Sequence, residues 1–99
     1  MDMTGQVVMI TGASRGIGAE TARIFAAAGA KVALLARSEN DIAELAGEIG
    51  KAAIAIPCDV SRYWEVEAAV NATVKTFGGL NVLINNAGVI EPIAHLIDA

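Results

Sequence analysis

Residues 6–18, QVVMITGASRGIG, pass from an apolar run directly into a turn carrying three glycines. The run is short, β-branched and without polar alternation, which suits a strand covered on both faces. Gly12 lets the chain turn sharply as the strand ends. Gly16 removes the Cβ that would keep an anionic group such as a pyrophosphate away from the backbone. Gly18 lets the following helix lie close against the sheet. The first turn of that helix then offers N–H groups without intrahelical partners, at the positive end of its dipole. A strand-to-helix turn that holds no ligand uses the same residues, so taken alone the turn leaves both readings open.

Working outward, the same alternation continues. Residues 31–36 (KVALLA), 52–57 (AAIAIP) and 80–85 (LNVLIN) are further short apolar runs. Between them lie helical periodicities. The first covers about residues 16–28, with Ile17, Thr21, Ile24, Phe25 and Ala28 on one face and Gly29 placed to end it. Ile42, Leu45, Ala46 and Ile49 mark a second helix, with Ser38 and Asp41 spaced as a capping box and Gly50 as its stop. Val66, Ala69, Val70, Thr73 and Phe77 mark a third, with Ser61 as its N-cap and Gly78-Gly79 as its end. Residues 91–99 read as a loop with the first turn of another helix. The order βαβαβαβ predicts an α/β fold: a doubly wound parallel sheet with right-handed crossovers and strand order 3-2-1-4.

The totals narrow the function classes. The 99 residues, 55% hydrophobic and 18% charged, make one domain (residues 1–99) able to bury a core. A net charge of −4 argues against a nucleic-acid surface. No apolar run approaches the roughly 18 residues of a membrane span. The start, Met1-Asp2-Met3-Thr4, has no basic region of a signal peptide. A single cysteine, Cys58, fits a reducing, cytoplasmic setting and reads as a small buried apolar residue. His95 has no ligand partner at metal spacing.

The glycine spacing of residues 11–18 resembles the TGxxxGxG turn of the short-chain dehydrogenase/reductase family. Two further segments match that family's pattern in the same order: Cys58-Asp59-Val60 after the third apolar run, and Asn85-Asn86-Ala87-Gly88, its NNAG motif, after the fourth. The resemblance covers essentially the whole chain and implies a Rossmann-type fold that binds a nicotinamide dinucleotide. It implies that Ser14, Arg15 and the backbone of Ile17 contact the ribose and phosphates. It also implies that Asp59 and the Val60 backbone meet the adenine edge, and that Asn86, Ala87 and Gly88 pass close to the adenosine ribose and tie the fourth strand to its neighbours. The plainer alternative for Asp59 is that it caps the turn before Ser61.

A dinucleotide fold selective for NAD carries a carboxylate at the end of its second strand, where it grips the ribose 2′-OH. Here that place holds Ala36, followed by Arg37 and Ser38, with Arg15 near the same corner. Two guanidiniums suit a 2′-phosphate, which favours NADP(H), with NAD(H) the other candidate. The family's chemistry, transfer of hydride between a small carbonyl and an alcohol, uses a Tyr with a Lys four residues later. The chain's one tyrosine, Tyr63, is followed at that distance by Glu67. The chain therefore reads as the dinucleotide-binding half of such an oxidoreductase, truncated before the catalytic residues and inactive alone. A non-catalytic nucleotide-binding or interaction module is the alternative. Cutting the sheet after its fourth strand would leave an apolar edge for self-association or homo-oligomers.

Overall fold

The computed structural model describes residues 1–86 and contains seven elements in strict alternation. They are β1 (Val7–Thr11), α1 (Gly16–Ala27), β2 (Lys31–Ala36), α2 (Glu39–Ile49), β3 (Ala53–Pro57), α3 (Tyr63–Phe77) and β4 (Val82–Asn85). The expected loop at 91–99, together with Ala87, Gly88 and His95, lies outside the described residues.

All strand pairings are parallel and the order is β3-β2-β1-β4, as the motif order predicts. β1 and β2 are buried on both faces, apart from Lys31. Alternate residues supply two separate cores. Val8, Ile10, Val32 and Leu34 face α1 and α2, where Ala19, Ala22, Ile42 and Leu45 meet them. Met9, Ala33 and Leu35 face α3 through Val66 and Ala69. Each fully buried aliphatic side chain contributes about 1.5–3 kcal/mol, so the two central strands carry most of the stabilisation. β3 and β4, at the sides of the sheet, are mostly half-buried. Among the described residues no helix is long and apolar enough to cross a membrane.

Three local expectations are corrected. α1 does not pack through Ile17 and Ile24, which are 77% and 50% exposed; it packs through Gly18, Ala19 and Ala22. Close contact with the sheet demands small side chains on the inner face, and that turns the two isoleucines outward. The capping box at α2 is also not made. Ser38 is the N-cap residue, yet its side chain caps no N–H, and Asp41 instead reaches Arg15. At α3 the N-cap is Arg62 and not Ser61.

β4 is pinned to β1 at both ends by side chains. Asn81 donates its N–H to the Val7 carbonyl at 2.9 Å and accepts the Val7 N–H on Oδ1 at 2.8 Å, lengthening the ladder by one step. At the other end the Thr11 hydroxyl donates to Asn85 Oδ1 at 2.7 Å and accepts the Asn86 N–H at 3.0 Å.

Candidate functional site

Because every strand runs the same way, the turns after β1, β2 and β3 gather at one end of the sheet. They enclose a cleft of about 620 Å3, lined by Gly12, Ser14, Arg15, Leu35, Ala36, Arg37, Ser38, Cys58, Asp59, Val60 and Ser61. From β1 the chain steps outward to β2 and β3 and then crosses back through α3 to β4 on the other side of β1, so this end of β1 is a topological switch point. Open α/β sheets bind ligands at such points.

The turn after β1 is built by its glycines. Gly12 and Gly16 hold φ angles of 62° and 61°, a region that side chains disfavour. A Cβ on Gly16 would meet nothing within 4 Å, so the backbone there is open to an approaching group. Gly18 does a different job: a Cβ there would overlap the Gly12 carbonyl oxygen. The helix therefore begins tight against the strand end. Arg15 occupies the N-cap position of α1 with no side-chain cap bond, and the first turn contains no acidic residue. Its N–H groups and dipole are left for an anion.

At the end of β2, Ala36 is buried while Arg37 is exposed. Arg15, 84% exposed, lies 3.7 Å from Asp41 across the cleft mouth. The third turn is held by a compact network. Asp59 Oδ1 accepts both the Ser61 hydroxyl (2.7 Å) and the Ser61 N–H (3.0 Å). These bonds hold the Asp59 carboxyl below its ordinary range, the hydroxyl first and the N–H next, with Arg62 and Arg37 adding charge attraction. The turn-capping role read for Asp59 is thus present, and Asp59 still lines the cleft. Cys58 is buried beside it, and burial, followed by the charges of Glu65 and Asp59, pushes its thiol up to about 11.

The cleft thus unites Gly12, Ser14, Arg15, Arg37, Ser38, Asp59 and Val60, with Gly16, Ile17 and Gly18 forming the helix start beside it. Asn86 does not line it; its backbone is tied to Thr11 at the β4 end. Three residues with clear structural roles escaped the sequence reading: Thr11, Asn81 and Glu65. Only Thr11 carried a signal, as the polar residue ending an otherwise apolar run.

The family model described as short chain dehydrogenase matches residues 6–98. The chain belongs to the short-chain dehydrogenase family. "Short-chain dehydrogenase reductase 3b" of Arabidopsis thaliana is 42% identical over 97 residues, covering 97% of this chain and 38% of that protein. Among solved structures, a 3-ketoacyl-(acyl-carrier-protein) reductase from Brucella melitensis, complexed with NADH, superposes with a TM-score of 0.82 at 41% identity. It covers 83% of this chain and is itself covered over 34% of its length. The C-domain of a bacterial malonyl-CoA reductase, solved with NADP, gives a TM-score of 0.81 at 38% identity, covering 88% of this chain and 15% of that one. This short-chain dehydrogenase chain spans about a third of the length of the curated relatives it matches, 38% of the first.

Proposed function

We propose that this chain holds NADP(H) for a short-chain dehydrogenase that interconverts a small carbonyl and an alcohol. The observation that carries the cofactor choice is the end of β2, where Ala36 replaces the acid and Arg37 follows, both lining one cleft with Arg15. The first turn of α1 and Gly12, Gly16 and Gly18 would hold the pyrophosphate on backbone N–H groups, with Ser14 and Ile17 beside it. Arg37, Ser38 and Arg15 would hold the 2′-phosphate, by charge-assisted hydrogen bonds. Asp59 would accept from the adenine amino group, and the Val60 N–H would donate to the ring. Asn86, Ala87 and Gly88 would pass by the adenosine ribose. Once bound, the nicotinamide ring supplies or accepts hydride.

Relatives solved with NADH and with NADP make both cofactors chemically available to this fold. Titration of the chain with NADPH and NADH separates them: NADPH binds more tightly on this reading, and equal or weaker binding rejects it. The chain's one tyrosine, Tyr63, is followed by Glu67 where the family's pair needs a lysine. The chain therefore turns over no carbonyl by itself. Turnover with saturating NADPH that disappears in Gly16→Trp would contradict this. A cytoplasmic setting suits the single buried thiol, Cys58. Self-association belongs to the same reading, through β4, which has one strand neighbour among the described residues. Sedimentation of Val82→Lys should show less of it than the unsubstituted chain.

A further inference from the structure

We infer that Glu65 is a positioning residue for the adenine wall of the cleft. Glu65 does not line the cleft; it sits behind it, on the first turn of α3. One carboxylate oxygen, Oε1, accepts the Asp59 N–H at 2.9 Å, and the other takes Arg62 Nη1 at 3.2 Å. Arg62 in turn lies 3.7 Å from the second oxygen of Asp59, whose first is occupied by Ser61. The Asp59 backbone is thus held from behind by Glu65, while its carboxylate is turned by Ser61 and Arg62. Upstream, the Cys58 N–H is fixed to the Ala36 carbonyl at 2.9 Å. The two successive peptides that enter Cys58 and Asp59 are therefore anchored, the first to β2 and the second to α3. Release of the Glu65 anchor frees the segment that presents Asp59 and Val60.

The spacing explains why a glutamate is needed. Glu65 is three residues past the N-cap Arg62, where a carboxylate can reach back over the start of the helix. It reaches the N–H of Asp59, three residues before the N-cap, and so closes the whole turn. A precise wall matters because a base edge is read by bonds that fail with small displacements of donor or acceptor.

The inference rests on Asp59 and Val60 being the adenine contact, and the test separates the two. The chain is titrated with ADP and, separately, with inorganic pyrophosphate, which needs only the glycine turn; NMR reads both. Glu65→Ala weakens ADP about fivefold or more and leaves pyrophosphate within about twofold. Glu65→Gln retains an oxygen for the Asp59 N–H and brings ADP back to within about twofold of the unsubstituted chain. Glu65→Asp keeps the charge but is one methylene short, so it behaves as the alanine variant does and replaces it should that variant not fold. Unchanged ADP affinity in the Ala and Asp variants, with unchanged melting, overturns the inference, as does parallel weakening of ADP and pyrophosphate. An unsubstituted chain that binds pyrophosphate and not ADP overturns the adenine reading and this inference with it.

Discussion

On the β1 side of the cleft, the wall is backbone: a glycine turn and the start of α1, with no acidic residue in its first turn. On the β3 side it is side chain: Asp59 and Ser61 line the cleft, braced from behind by Arg62 and Glu65 at the start of α3. The N-terminus of α2, between them, carries Glu39 and Asp41. The three described helices start at the same end of the sheet, so their dipoles point alike; among them, α1 alone has no acidic residue in its first turn. A wall of N–H donors suits phosphate, and a wall that accepts as well as donates suits the edge of a base. On the proposed binding mode the two turns would therefore take different parts of one ligand.

The comparison breaks most visibly at the glycines, which should fail in different ways. Gly18→Ala puts a Cβ against the Gly12 carbonyl and costs about 3 kcal/mol, read from the urea midpoint. Gly16→Ala has open space and pays only for its positive φ, about 1–2 kcal/mol, yet should lose nucleotide binding by crowding the phosphate. Equal destabilisation of the two variants would mean that Gly18 is not the contact that sets the helix against the strand.

Cys58 reports on the opposite wall. Its thiol is raised to about 11 from an ordinary 9.0, so the folded chain holds about a hundredfold less thiolate than the unfolded one near neutral pH. Alkylation by iodoacetamide should be correspondingly slow in the folded chain. The sign follows from proton binding. With the folded value raised, the contribution to stability is full below the unfolded thiol range and is lost as pH rises from about 9 towards about 11. A folded chain alkylated as fast as the urea-unfolded chain would show that this wall is open.

These two walls were not equally legible in the sequence. The glycine wall was, because its constraints are local: three glycines, a strand before and a helix after. The strand order followed from the position of the motifs along the chain. The side-chain wall was read only in part. Asp59 and Val60 stood out by resemblance, whereas Glu65 depends on how the turn folds back, which spacing alone does not encode. Asn81 meets Val7 across 74 positions, a distance no periodicity reaches. The isoleucines of α1 misled for a physical reason. Hydrophobic periodicity weights large side chains, while a helix set close on a sheet needs Gly18, Ala19 and Ala22 inside.

Between the walls, Arg37→Asp sharpens the cofactor assignment. It should reverse the NADPH-over-NADH preference by about tenfold or more, since each charge-assisted bond is worth about 1.5–3 kcal/mol. The new carboxylate repels a 2′-phosphate and accepts from a 2′-OH. An unchanged NADPH/NADH ratio in the titration would leave Arg37 a solvated strand-end charge and nothing more.

The smallest expected effect is also the most discriminating, because it should move binding and stability in opposite directions. Asp41 stands at the start of α2, where its charge favours the helix dipole, and it also draws Arg15 at 3.7 Å. Both side chains are well exposed, so the pair is worth at most about 1 kcal/mol. Asp41→Asn releases Arg15 towards a 2′-phosphate and removes a negative charge from the cleft mouth. NADPH affinity should therefore rise, by up to about fivefold, with NADH little changed. Stability should fall by about 0.3–1 kcal/mol as α2 loses a first-turn carboxylate. Added salt should shrink the affinity gain, since exposed charges a few ångströms apart are screened. If NADPH affinity instead fell along with the melting temperature, Asp41 would matter only through the fold, and Arg15 would not belong to the 2′-phosphate corner.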